Sequence, residues 1–86
     1  MLKLRQLASN MTEVEIGPYS ILFSYQTPVA GHSPAMGHFK TSTKYSSTTT
    51  RHINKYFAKE WGVVGGTVRE VDQSIIDGLV VGMGGL

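Results

Sequence analysis

Ile53, Tyr56, Phe57 and Trp61 recur at i, i+3, i+4 and i+8, while Arg51, Asn54, Lys55, Lys59 and Glu60 fill the positions between them. Only an α-helix gathers that set on one side, so the chain holds an amphipathic helix whose aromatic face needs a cover. One of Ser47, Thr48 or Thr49 is the expected N-cap, and Gly62 supplies the stop just after Trp61. What precedes and follows this helix decides the fold class.

Upstream the period drops to two. Leu2 to Ala8 suits a short edge strand, although Met11 could be an alternative start that leaves residues 1–10 as a peripheral extension. From Thr12 to Ile16 the alternation is strict, with Val14 and Ile16 on one face and Glu13 and Glu15 on the other, which predicts a half-buried strand. Gly17-Pro18 is turn chemistry, and Tyr19 to Tyr25 returns as a central strand of the same hairpin. Residues Thr27 to Pro34 carry two prolines and a glycine, which predicts a loop of defined shape. His38 to Tyr45 forms a third strand. Downstream of the helix, Gly65-Gly66 makes a turn, Thr67 to Val71 a last strand, and Asp72 caps a short helix through Ile75, Ile76 and Leu79, with residues 82–86 as a flexible tail. The expected architecture is α+β: one domain over residues 1–86, with an antiparallel sheet of about four strands, one main amphipathic helix on a face and a short C-terminal helix.

Eighty-six residues with no cysteine exclude a multidomain enzyme, a thiolate nucleophile and any cysteine-ligated metal site. No apolar run reaches the roughly 20 residues that span a bilayer, so the expectation is a soluble cytoplasmic protein with no membrane partner. A core this small supplies only about 3–5 kcal/mol, and self-association into a homo-oligomer is expected to add burial.

The formal net charge is only +2, but its distribution is uneven: no acid occurs between Glu15 and Glu60, an interval holding Lys40, Lys44, Arg51, Lys55, Lys59 and all three histidines. Anionic partners are drawn there. Within it, eight of the ten residues from Thr41 to Thr50 are Ser or Thr, and they feed the helix N-terminus. Unpaired N–H groups, the helix dipole, hydroxyl donors and cations are the parts of a phosphate site. The candidate ligand residues are Lys44, Ser46, Thr48, Thr49, Thr50, Arg51, His52 and Lys55, with Tyr25, Thr27 and Tyr45 as neighbours and aromatic stacking partners. Arg51 and His52 in the first helical turn run against the helix dipole, which marks them as functional rather than stabilising. The glycine spacing of a P-loop is missing, and Ser and Thr that merely cap a helix account for much of the same pattern. His32, His38 and His52 have no metal-ligand spacing; as general acid and base they would permit a metal-independent ribonuclease.

Two blocks carry a resemblance: Ser24-Tyr25-Gln26-Thr27-Pro28-Val29-Ala30, and Lys44-Tyr45-Ser46 followed by Thr48-Thr49-Thr50-Arg51-His52-Ile53-Asn54-Lys55. Over residues 14–61 the chain resembles a widespread family of short uncharacterised bacteriophage proteins. The resemblance implies a phage genome and a bacterial host cytoplasm, and carries over no activity. The function expected is a non-catalytic module, needing no cofactor, that binds a phosphorylated small molecule or nucleotide, such as a defence signal that it sequesters. The alternatives are binding of single-stranded nucleic acid, inhibition of a host protein complex, and the ribonuclease.

Overall fold

A computed structural model of the chain describes residues 2–62 and 68–82. Its elements are β1 (Leu2–Ala8), β2 (Met11–Ile16), β3 (Tyr19–Ser24), β4 (Thr27–Ser33), β5 (Gly37–Thr41), α1 (Ser47–Glu60), β6 (Arg69–Val71) and α2 (Gln73–Gly82). The class is α+β, with six strands in place of about four, ordered β1-β2-β3-β4-β5-β6. The first five form an antiparallel meander, and β6 lies parallel to β5. A parallel neighbour requires a crossover, and α1 provides it. Gly65-Gly66, Thr67 and residues 83–86 lie outside the described residues.

The added strands have local explanations. Leu2–Ala8 is an edge strand of the sheet, paired along β2. Thr27–Ser33 is a strand where Pro28 and Gly31 predict a loop. Pro28 lacks a donor, but it stands opposite Phe23 where a bulge interrupts the β3–β4 register, a place that tolerates its missing N–H. Gly31 lies beneath the Phe39 ring, where a Cβ would come within 2.8 Å of Cζ. The third predicted strand is shorter than expected and ends at Thr41.

The helix N-cap is Ser46, one residue before the candidates: its hydroxyl accepts from the Thr49 N–H at 3.2 Å, and its carbonyl accepts from the Thr50 N–H at 3.0 Å. Trp61 is the C-cap rather than part of the helix, and Gly62 follows at φ +63°. Successive strand residues point to opposite faces, and each face has its own helix. Leu22, Ala30 and Met11 pack under Ile53, Tyr56 and Phe57 of α1. On the other face, Ile21, Phe39 and Val71 pack under Ile76 and Val80 of α2. Gln73 ties α2 to β4 by donating to the Pro28 carbonyl at 2.8 Å.

This two-sided cover corrects the reading of β2. Glu13, expected on a solvated face, lies under α1 and is 2% exposed. Its carboxylate accepts from the Tyr56 hydroxyl at 2.7 Å and from Arg5 at 2.8 Å, and Arg5 also reaches Glu60 at 2.6 Å. A buried carboxylate persists where it is paired and hydrogen-bonded in this way. Among the described residues, no helix is long and apolar enough to cross a membrane.

Candidate functional site

The alternation of β5 places Lys40 on the α1 side of the sheet, and the hydroxyl-rich segment after Thr41 then climbs to the N-cap of α1. Between them lies a cavity of about 90 Å³ whose polar lining includes Lys40, Lys44, Tyr45, Thr49, Thr50 and Asn54. Thr50 and Asn54 are one helical turn apart and face the same opening. The first turn of α1 contains no acidic residue, so its dipole is left uncompensated toward an incoming anion. Glu70 also enters the lining, from the β6 position paired with Lys40. The wall therefore carries two cations and one carboxylate.

Of the predicted ligand residues, the structure brings Lys44, Tyr45, Thr49 and Thr50 to this cavity. Lys40, Asn54 and Glu70 join them without having been singled out as ligands. The period of β5 and the i, i+4 spacing from Thr50 were the signals available for the first two. Arg51 does not line the cavity: it is exposed, and its guanidinium reaches the Thr48 hydroxyl at 3.5 Å. Position 51 lies on the outer side of the helix, away from the buried line of Thr49, Ile53 and Tyr56. Ser46 is occupied as the N-cap. Thr27 opens β4 opposite Ser24. Lys55 lines a second cavity of about 150 Å³, with Leu7, Met11, Lys59 and Glu60.

His52 is absent from the lining of the Lys40–Lys44 cavity. Its Nδ1 lies 2.8 Å from the hydroxyl of buried Ser24, and its ring centroid lies 5.9 Å from that of Tyr25. Burial, then the charges of Lys55 and Arg51, hold its pKa below the ordinary histidine value. Ser24 and Tyr25 belong to one of the two sequence blocks and Thr49 and His52 to the other, so the blocks meet here. Strand alternation puts Ser24 on the Leu22 side, the one signal for a residue that sequence reasoning did not single out.

The other two histidines gather elsewhere. His32 and His38 are cross-strand partners with ring centroids 4.6 Å apart, and His32 stacks on Trp61, also at 4.6 Å. His38 meets Trp61 and Phe57 edge-on, and burial followed by the neighbouring His32 lowers its pKa. Nine helical residues, or about 13 Å of rise, separate His52 from Trp61. The three histidines thus form no common centre, and no group of three or more His, Asp or Glu among the described residues is arranged to hold a metal ion.

A model for a family of unknown function, DUF8033, matches residues 2–78, from the first strand into α2. The chain belongs to DUF8033. No curated protein matches it, and no solved structure does. The match takes in the whole Lys40–Lys44 cavity and both sequence blocks of this DUF8033 chain.

Proposed function

We propose that this DUF8033 protein is a non-catalytic binding module for a phosphorylated small molecule, with the phosphate held between the end of β5 and the first turns of α1. The observation that carries the reading is the cavity itself, where Lys40, Lys44 and the Asn54 amide converge beside a helix start free of acids. It is open to solvent and has room for a phosphate group. The rest of the ligand would lie outside, against the ring of Tyr45, which is 46% exposed. Sequestration of a nucleotide signal in a phage-infected bacterium, by a homo-oligomer, is the use of such a module that fits the resemblance. Arg51 has no part in this version of the site.

The test is thermal unfolding against inorganic phosphate and a panel of mono-, di- and cyclic nucleotides at two salt concentrations. A ligand at about 100 times its dissociation constant adds close to 2.7 kcal/mol of apparent stability. A shift that survives salt, falls at least about tenfold in apparent affinity with Lys44→Ala and is unmoved by Arg51→Ala supports the reading. Affinity that collapses with salt and grows with oligonucleotide length points to a single strand instead. No shift with any phosphate compound removes the cavity from consideration and leaves a protein partner as the object of search.

A further inference from the structure

From Thr49, at the border of the cavity, a chain of hydroxyls runs across to His52. Ser46 Oγ donates to Thr49 Oγ1 at 3.3 Å, Thr49 Oγ1 lies 3.1 Å from Ser24 Oγ, and Ser24 Oγ lies 2.8 Å from His52 Nδ1. Each hydroxyl has a single proton to give. With the Ser46 proton on Thr49, the Thr49 proton goes to Ser24 and the Ser24 proton to His52 Nδ1. A neutral imidazole that accepts at Nδ1 carries its own proton on Nε2, which lies on the side of the ring away from Ser24. Run in that direction, from Ser46 to the ring, the chain leaves His52 an N–H donor at Nε2.

Beside it, Tyr25 is 53% exposed and sits at φ +59°, a left-handed conformation that is rare for a bulky side chain. Its N–H donates to the Asn10 carbonyl at 2.7 Å, so the tip of the neighbouring hairpin pins it there. Tyr25 opens the two-residue β3–β4 turn, whose positive φ holds its backbone at the tip of the hairpin. Arg51 and Lys55 flank His52 on the helix, both exposed.

We propose that Tyr25 and His52 form a second binding site, for a planar heteroaromatic ring bearing an exocyclic oxygen, as in a nucleobase. The Tyr25 ring supplies the stacking face, His52 Nε2–H donates to the oxygen, and Arg51 and Lys55 meet an attached phosphate. Ser24 is the positioning residue that sets the tautomer. Burial and the two neighbouring cations keep the imidazole neutral, so the donor comes from the tautomer and not from a second proton. Positions 52 and 54 are about 200° apart around a helix of 3.6 residues per turn, so the two sites open on different sides of α1, with Thr49 bordering both.

The experiment begins with the wild-type protein, uniformly labelled with 15N, in a long-range 1H–15N correlation that distinguishes Nδ1 from Nε2. The expected result is the Nε2–H tautomer at His52; the Nδ1–H tautomer overturns the proposal without any variant. Titration then uses uridine, UMP, adenosine, inorganic phosphate and a short oligouridylate, read at the Tyr25 and His52 signals. Uridine and UMP are expected to move both signals, UMP more tightly, and adenosine, which lacks the oxygen, to bind about fivefold or more weakly. His52→Gln keeps an N–H near the Nε2 position and is expected to retain binding, whereas His52→Asn loses about tenfold. Lys44→Ala is expected to leave these shifts unchanged. Equal affinity per site for UMP and the oligouridylate assigns a free nucleotide, and cumulative, salt-sensitive affinity for the oligouridylate assigns a single strand. Signals at Tyr25 and His52 that respond to none of the uracil ligands refute the site.

Discussion

Replacing Tyr56 by Phe removes one oxygen from the centre of the α1 face and tests the account of Glu13. Tyr56 is fully buried and Glu13 is 2% exposed, so water cannot replace the lost donor. The second partner, Arg5, has a side chain 54% exposed and divides its charge between Glu13 and Glu60, which limits what it can compensate. A hydrogen bond to a charged group contributes about 1.5–3 kcal/mol. For a domain of this size each kcal/mol moves Tm by about 4–8 °C, so Tyr56→Phe is expected to lower Tm by at least about 6 °C. Urea and thermal unfolding followed by the fluorescence of Trp61 give both numbers. Glu13→Gln in the same background completes a double-mutant cycle, with coupling expected at about 1 kcal/mol or more. The alkaline limb offers an independent readout. Burial, then the hydrogen bond to Glu13, raise the folded-state pKa of Tyr56 above its usual 10.0. Because the folded value is the higher one, this stabilisation is complete below pH 10 and is lost as pH rises beyond it. Wild type is therefore expected to lose stability above pH 10 more steeply than Tyr56→Phe. A variant within about 0.5 kcal/mol of wild type, with the same alkaline slope, refutes the reasoning.

Gly31→Ala places a methyl against the Phe39 ring and the Ser20 carbonyl and is expected to destabilise by about 1–3 kcal/mol in the same unfolding assay. Ser46→Ala removes the N-cap of α1 at a cost of about 0.5–2 kcal/mol, measurable by urea unfolding, with loss of helical circular dichroism at the midpoint. His38 and His52 both have folded-state pKa values below 6.5, so their neutral forms stabilise the fold above that pH. Stability is expected to fall as pH drops below 6.5, and His38→Gln to flatten that limb.

Periodicity made α1 and the first hairpin legible, because both elements pair apolar with polar positions at a fixed spacing. The same reading misplaced Glu13. Alternation reports that β2 has two chemically different faces, but not that a helix later in the chain covers the acidic one. Pro28 and Gly31 misled for a related reason: a bulge and an aromatic ring on the next strand turn loop residues into strand residues, and neither is local. At the candidate site, Lys44, Thr49 and Thr50 were accessible to reasoning about helix starts. Arg51 was not, since its turn of the helix is shared with residues on the other side. Ser24 drew no attention because a serine near a hairpin turn is ordinary until His52 is seen against it.

Strand order along the sheet is chain order, and this shapes how the molecule assembles. Three of the first four connections contain two residues and the fourth contains three, so each new strand closes a minimal loop onto the strand just made. During synthesis from the N-terminus, β1 to β5 can zip as they emerge. Their apolar sides, around Leu22 and around Ile21, stay bare until α1 and then α2 arrive. Only β6 waits for a long connection, because its parallel partner is reached through α1. The chain from Ser47 onward is thus the closing step for both layers, and an interrupted chain ending before it presents an open sheet, the form most prone to associate with itself.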